Sequence, residues 1–122
     1  MASEIYGSFP LGRFEFKAAF REVAGDQGVT IHVFGPAGGK REEVLRFDCF
    51  ERQPHYHLGW SYRDQPFIRI EDPDPLEYSL QTLASPNTLL VEAGAESMDE
   101  DELSALPKTI HLIRNAVTKA RA

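Results

Sequence analysis

The chain has 122 residues, of which 42% are hydrophobic and 26% are charged, and its formal net charge is −6. This length supports one hydrophobic core, and the composition argues against disordered or low-complexity sequence. No apolar run approaches the about 20 residues of a membrane span, residues 1–13 lack a secretory signal pattern, and the single Cys49 allows no internal disulfide. We therefore expect residues 1–122 to form one domain in the cytoplasm, without membrane contact.

The negative charge is concentrated in one part of the chain. Residues 71–103 carry ten acidic and no basic side chains, whereas residues 104–122 carry four basic and no acidic ones. This order suits helix dipoles, which favour acids in a first turn and bases in a last turn. The chain offers no basic stripe of the size that phosphate binding needs, so we expect no nucleic-acid partner.

Strand patterns fill about residues 11–71. Residues 13–21 alternate with a period of two, which places three phenyl rings on one side, and a turn at residues 24–28 leads into a second alternating run at residues 29–33. Residues 44–50 alternate again. Pro54 requires a bend or a free edge, after which residues 55–62 and 67–70 read as two further strands. Consecutive strands joined by short turns predict an antiparallel sheet of four to five strands.

Helical patterns fill about residues 74–122. Asp74 and Pro75 are typical of a helix start, and leucines follow at spacings of three and four as far as residue 83. A second short helix is expected to start at Ser85 or Asn87 and to end at Gly94. Segregation of strands before helices predicts an α+β fold with two to three C-terminal helices packed on one face of the sheet.

The last helix carries an apolar stripe at heptad spacing, which consists of Leu103, Leu106, Ile110, Ile113 and Val117. Flanking apolar residues give more apolar surface than one small sheet needs, so we expect a homodimer formed through this helix and the exposed face of the sheet. The alternative is that the stripe packs on the phenylalanine face of its own chain.

His55 and His57 form the densest group of chemically interesting side chains. Positions i and i+2 of a strand share a face, so both imidazoles would project together and could supply half of a metal site. By residue type, the remaining ligands could be Cys49, Asp48, Glu51, His32 or Glu71. Because at most half a ligand set is visible, we expect no structural metal and no cofactor. If a metal does bind, the parity of the strand positions favours His55, His57 and Cys49.

A metal-free use of the same residues is also open. Two histidines near their ordinary pKa can act as acid and base, with Arg46 stabilising an oxyanion and Asp48 fixing a histidine tautomer. The catalytic candidates are therefore His55, His57 and Asp48. The chain has no glycine-rich phosphate loop and no known nucleophile motif. Cross-strand packing of His55 and His57 is the structural alternative.

The binding candidates form one group along the same stretch. Trp60 and Tyr62 share strand parity and either line a groove or complete the core, and Cys49 is expected to be a buried, inert thiol. We interpret the chain as a small binding or accessory protein for a small molecule or a larger protein partner. The alternative is a small histidine-dependent hydrolase or transferase, metal-assisted or metal-free. The expected binding residues are His55, His57, Tyr56, Trp60, Tyr62 and Arg46.

One segment resembles a family of small uncharacterised bacterial proteins. Residues 46–50 read Arg-Phe-Asp-Cys-Phe and, after a short spacer, residues 54–57 read Pro-His-Tyr-His, with Asp-Pro-Leu-Glu-Tyr at residues 74–78. The resemblance extends over about residues 44–106 and departs at Leu58, where the family has an aromatic residue. It implies no established activity. The residues that match its motif are Asp48, Cys49, His55, Tyr56 and His57.

Overall fold

The computed structural model describes residues 3–59 and 67–122, in which an antiparallel sheet is followed by helices. The strands are β1 (Ser3–Leu11), β2 (Phe14–Val23), β3 (Asp26–Ala37), β4 (Lys40–Phe50), β5 (His55–Leu58) and β6 (Phe67–Arg69). They lie in the sheet in chain order, each antiparallel to the next. The helices are α1 (Pro75–Leu83), α2 (Asn87–Glu92) and α3 (Glu100–Ala120). The predicted α+β class is confirmed, with six strands instead of four to five.

The additional strand is β1, which the sequence pattern did not reveal. Gly7 and Pro10 interrupt its side-chain alternation, and a register shift lies between Ile5 and Gly7. Proline cannot donate a hydrogen bond to a neighbouring strand and is therefore tolerated at the edge of a sheet. Because β1 is an edge strand, Pro10 fits there opposite Glu15 of β2.

The core lies between one face of the sheet and the helices. In the middle of β2, β3 and β4, alternate residues point into it, as the period of two requires. The strands contribute Phe14, Phe16, Ala18, Val29, Ile31, Val33, Leu45 and Phe47, and the helices contribute Leu80, Leu83, Leu90, Leu106, Ile110, Ile113 and Val117.

Four of the five stripe residues of α3 are buried in this core, and only Leu103 is exposed. The helix packs mainly against β1 and also against β2. The stripe therefore covers the sheet of its own chain, as the alternative interpretation proposed. A homodimer stays a prediction, and it would need another surface.

The start of α3 is tied to the turn between β1 and β2. Asp99 caps the helix and forms a reciprocal capping box with Glu102, whose backbone amide donates to Asp99 Oδ1 at 2.8 Å. The backbone amide of Arg13 donates to Glu102 Oε2 at 2.7 Å, and its guanidinium donates to Oε1 at 2.8 Å. This contact joins the β1–β2 turn to the first turn of α3. Within the part of the chain that the structure describes, no helix is long and apolar enough to cross a membrane.

Candidate functional site

Polar side chains gather on the face of the sheet turned away from the helices. In register, Thr30 of β3 lies opposite Asp48 of β4, and Asp48 lies opposite His55 of β5. Two residues along the same two strands, Arg46 of β4 lies opposite His57 of β5. We refer to the residues that meet here as the polar cluster, namely Arg21, Thr30, Arg46, Asp48, His55 and His57.

Asp48 is the centre of the polar cluster and is only 1% exposed. Its Oδ1 accepts hydrogen bonds from Arg21 Nη1 at 3.1 Å and from Thr30 Oγ1 at 2.9 Å. Its Oδ2 lies 3.2 Å from Arg46 Nε and 3.1 Å from His55 Nε2. Burial raises the pKa of Asp48, but the hydrogen bond from His55, the charge of Arg46 and the Thr30 hydroxyl outweigh burial and lower it to about 2. Asp48 is therefore a buried carboxylate anion.

His55 has an acceptor at each ring nitrogen. Its Nδ1 lies 2.7 Å from the carbonyl oxygen of Gln53, and its Nε2 faces Asp48. Burial lowers the pKa of His55, but the hydrogen bonds to Asp48 and to the Gln53 carbonyl raise it above its ordinary value. The ring stacks on Phe67, with centroids 4.1 Å apart, and meets the ring of Phe50 edge-on. This imidazole is fixed in position by both its nitrogens and its ring faces.

His57 lies beside His55 in a different environment. Its Nε2 is 3.8 Å from Asp48 Oδ2, and the two imidazole rings are nearly perpendicular, with centroids 4.8 Å apart. Burial and the charges of Arg46 and His55 lower the pKa of His57. Among the described residues, nothing forms a hydrogen bond with its buried Nδ1. His57 is therefore the neutral member of the pair.

The polar cluster contains a group with the composition of a metal-binding site. One ligand atom from each of Asp48, His55 and His57 can be chosen so that all three lie within 4.8 Å of one another. The other candidates by residue type, His32, Glu51 and Glu71, are not members of this group. His32 instead pairs with Glu43 further along β4.

Cys49 does not join the histidines, so the parity argument that placed it with them was wrong. Residues 51–54 separate β4 from β5, and the register that results pairs Asp48 with His55. Cys49 therefore points to the opposite face, where its Sγ lies 3.4 Å from Ser79 Oγ of α1. Burial raises the pKa of its thiol to about 12, as expected of an inert thiol.

Tyr56 is also separated from the polar cluster. It alternates with the two histidines along β5 and stacks on Phe47 of the core-facing side, with ring centroids 4.9 Å apart. Tyr56 therefore cannot bind the same small ligand as His55. Trp60 and Tyr62, the other two aromatic candidates, lie outside the described residues.

Sequence reasoning missed Arg21 and Thr30, which hold Oδ1 of Asp48. Both precede the motif region and reach Asp48 through the register of β2, β3 and β4. Strand alternation places both residues on the polar face of the sheet. It does not identify which residues on that face contact one another.

A cavity of about 340 Å³ opens at one end of the polar cluster. His55 forms part of its wall, together with the turn between β2 and β3 and the segment after β4. The lining residues are Val23, Ala24, Gly25, Asp26, Phe50, Arg52, Gln53 and His55. The carboxylate of Asp26 accepts from the backbone amides of Gln27, Arg52 and Gln53, so it is used in holding this loop.

Comparison with known proteins gives a family without an assigned activity. The family model described as "Domain of unknown function (DUF7700)" matches residues 8–117. No curated protein and no solved structure matches the chain.

Proposed function

The chain belongs to the DUF7700 family of unknown function, and we propose that it is a small binding protein whose ligand site is the polar cluster. The observation that carries this proposal is the convergence of Asp48, His55 and His57 within 4.8 Å. These side chains come from two strands and meet on the face of the sheet that the core does not use.

The energetics of the polar cluster support a role beyond folding. Burying charged groups costs solvation energy, and replacing a buried ion pair with apolar residues of similar volume is often neutral or stabilising. The chain nevertheless holds a nearly fully buried carboxylate among two guanidinium groups and an imidazole. An arrangement that stability alone does not favour is typical of a site kept for a ligand.

His57 is the point at which a ligand would complete the polar cluster. Each carboxylate oxygen of Asp48 and each nitrogen of His55 already has a partner. His57 has a buried Nδ1 without a hydrogen-bond partner in the described chain, and its Nε2 lies beyond hydrogen-bond distance from Asp48. A small ligand seated between His57 and Asp48 would meet Nε2 of His57.

A second candidate function is acid–base catalysis by the two histidines. The environments of His55 and His57 shift their pKa values in opposite directions, which is the arrangement of a general acid beside a general base. The cavity described above is lined by His55 and not by His57, so it would not place a substrate between the two. We therefore favour binding over catalysis.

A defined ligand panel tests the binding proposal. We would add Zn²⁺, Co²⁺, Mg²⁺, inorganic phosphate and acetate separately to the isotope-labelled full chain and follow the backbone amide signals. The proposal expects at least one saturable shift centred on β4 and β5. The shift should be lost in His57→Ala and kept in His111→Ala, because His111 lies exposed on α3. If no panel member shifts the β4 and β5 signals, the proposal is wrong.

A further inference from the structure

We infer that the ligand of the polar cluster is a divalent first-row transition-metal ion held by Asp48, His55 and His57. This inference rests on the proposed binding function and names the chemical class of the ligand. Sequence spacing supplied only the two histidines, whereas the register of β4 and β5 brings a carboxylate directly opposite one of them.

The distances between the ligand atoms suit one metal ion shared by all three residues. Two ligands bound to one ion at about 2.1 Å lie about 3.0 Å apart at a right angle and about 3.4 Å apart at a tetrahedral angle. In the structure, Asp48 Oδ2 is 3.1 Å from His55 Nε2 and 3.8 Å from His57 Nε2. A small rotation of the His57 ring would bring both nitrogens and the carboxylate oxygen around one ion.

The ligand atoms select the class of ion. Two imidazole nitrogens and one carboxylate oxygen suit zinc, iron, cobalt, nickel or copper, while magnesium and calcium prefer sites built of oxygen atoms. Three protein ligands also leave at least one coordination position open for water or a further small ligand.

Groups behind two of the three ligands, His55 and Asp48, orient them as metal sites require. The carbonyl oxygen of Gln53 accepts from Nδ1 of His55 at 2.7 Å, which directs Nε2 of the same ring toward Asp48. On the other side, Arg21 and Thr30 hold Oδ1 of Asp48 and thereby fix the direction of Oδ2. Hydrogen bonds of this kind set the orientation and the tautomer of metal-ligating side chains.

The positive charges beside the three ligands, a proton on His55 and the guanidinium of Arg46, compete with a bound metal ion. Metal binding at His55 replaces the proton on Nε2, so an ion of charge +2 enters and one proton leaves to solvent. Arg46 also contacts Asp48 Oδ2, at 3.2 Å, and therefore competes with the ion for this oxygen. Its Nη1 lies 3.8 Å from Glu43 Oε1, which partly balances its charge. Removing the charge of Arg46 should strengthen cation binding and weaken anion binding.

The test is a titration of the metal-stripped full chain, without a polyhistidine tag, with Co²⁺ and Zn²⁺. Calorimetry and the visible absorption of bound Co²⁺ should report one ion per chain, and Mg²⁺ should give no heat. We expect His57→Ala to weaken binding at least about tenfold and His111→Ala to leave it unchanged. Arg46→Gln should tighten binding by about threefold or more.

Folding of each variant is checked by amide spectra. If His57→Ala does not fold, His57→Gln, which keeps a polar side chain of similar length, takes its place. The inference is wrong if neither ion binds, or if binding is the same in the His57 variant that folds. If phosphate or acetate shifts the β4 and β5 signals while no metal does, this inference fails and the proposed binding function stands. If nothing in the panel binds, both fail.

Discussion

Asp48 and His55 are direct partners across β4 and β5, and the imidazole stands between two acceptors, the Asp48 carboxylate at 3.1 Å and the Gln53 carbonyl at 2.7 Å. A ring with an acceptor at each nitrogen is most stable when it carries both protons. His57, its neighbour on the same strand, is kept neutral by burial and by the charges of Arg46 and His55. One strand thus presents, side by side, an imidazole whose pKa is raised and one whose pKa is lowered.

We therefore expect the two rings to titrate on opposite sides of the ordinary histidine value of 6.5. In a proton NMR titration of the metal-free chain, the midpoint of His55 should lie above 6.5 and that of His57 below it. Asp48→Asn removes the carboxylate charge, so the pKa of His55 should fall in that variant. Equal midpoints for both rings would contradict this account.

Glu102→Gln should destabilise the protein by about 2 kcal/mol, because it weakens a charged hydrogen-bond network and a capping box at once. Glu102 accepts from both the backbone and the guanidinium of Arg13 and also from the backbone of Asp99. Urea unfolding followed by circular dichroism measures the change. Glu100→Gln is the matched control, since Glu100 is an exposed residue in the same helical turn, outside the capping box. Equal effects of the two substitutions would show that the network does not stabilise the fold.

Acid should destabilise the protein by protonating the carboxylates of Asp48 and Glu102. In the folded chain, the pKa values of Asp48 and Glu102 are lowered from 3.8 and 4.5 to about 2. The stability that they contribute is fully present above their ordinary values and is lost as the pH falls toward about 2. Unfolding free energies measured between pH 6 and pH 2 should therefore decrease steadily below about pH 5. Glu102→Gln should reduce the slope, because it removes one of the two protonation steps.

Ile113→Glu should unfold the chain, because the side chain of Ile113 is fully buried against the sheet, with 0% exposure. An unpaired carboxylate at that position would cost more than about 4 kcal/mol. Leu112→Glu is the control. The side chain of Leu112, the residue before Ile113, is 44% exposed, so this substitution should leave the thermal transition nearly unchanged. A folded monomer in Ile113→Glu, recovered from a wild-type dimer, would show instead that the α3 stripe lies between chains.

Most elements of the fold could be predicted because their signals are local. Alternation marks β2 to β4, and the Asp74 and Pro75 pair marks the start of α1. Strand β1 was not predicted, because an edge strand tolerates Gly7 and Pro10, which ordinarily indicate a turn.

The candidate site could be predicted only in part. The shared face of His55 and His57 follows from spacing along one strand. Their meeting with Asp48 depends on the path of residues 51–54, which sets the register between two strands and cannot be obtained by counting odd and even positions. The same reasoning explains why Cys49 was assigned to the wrong face. Arg21 and Thr30 depend on two further registers.

The packing of α3 on β1 and β2 also determines when the core can form during synthesis. The contact between Arg13 and Glu102 joins residues 89 positions apart, and a ribosome adding about 5–20 residues per second needs about 4–18 s to supply the second after the first. Until α3 is in place, Phe14 and Phe16 of β2 lack the cover that this helix provides in the folded chain. Helix α3 is therefore the element that covers β1 and β2, and a chain truncated before residue 100 would leave these two strands uncovered while α1 and α2 still pack on β4 and β5.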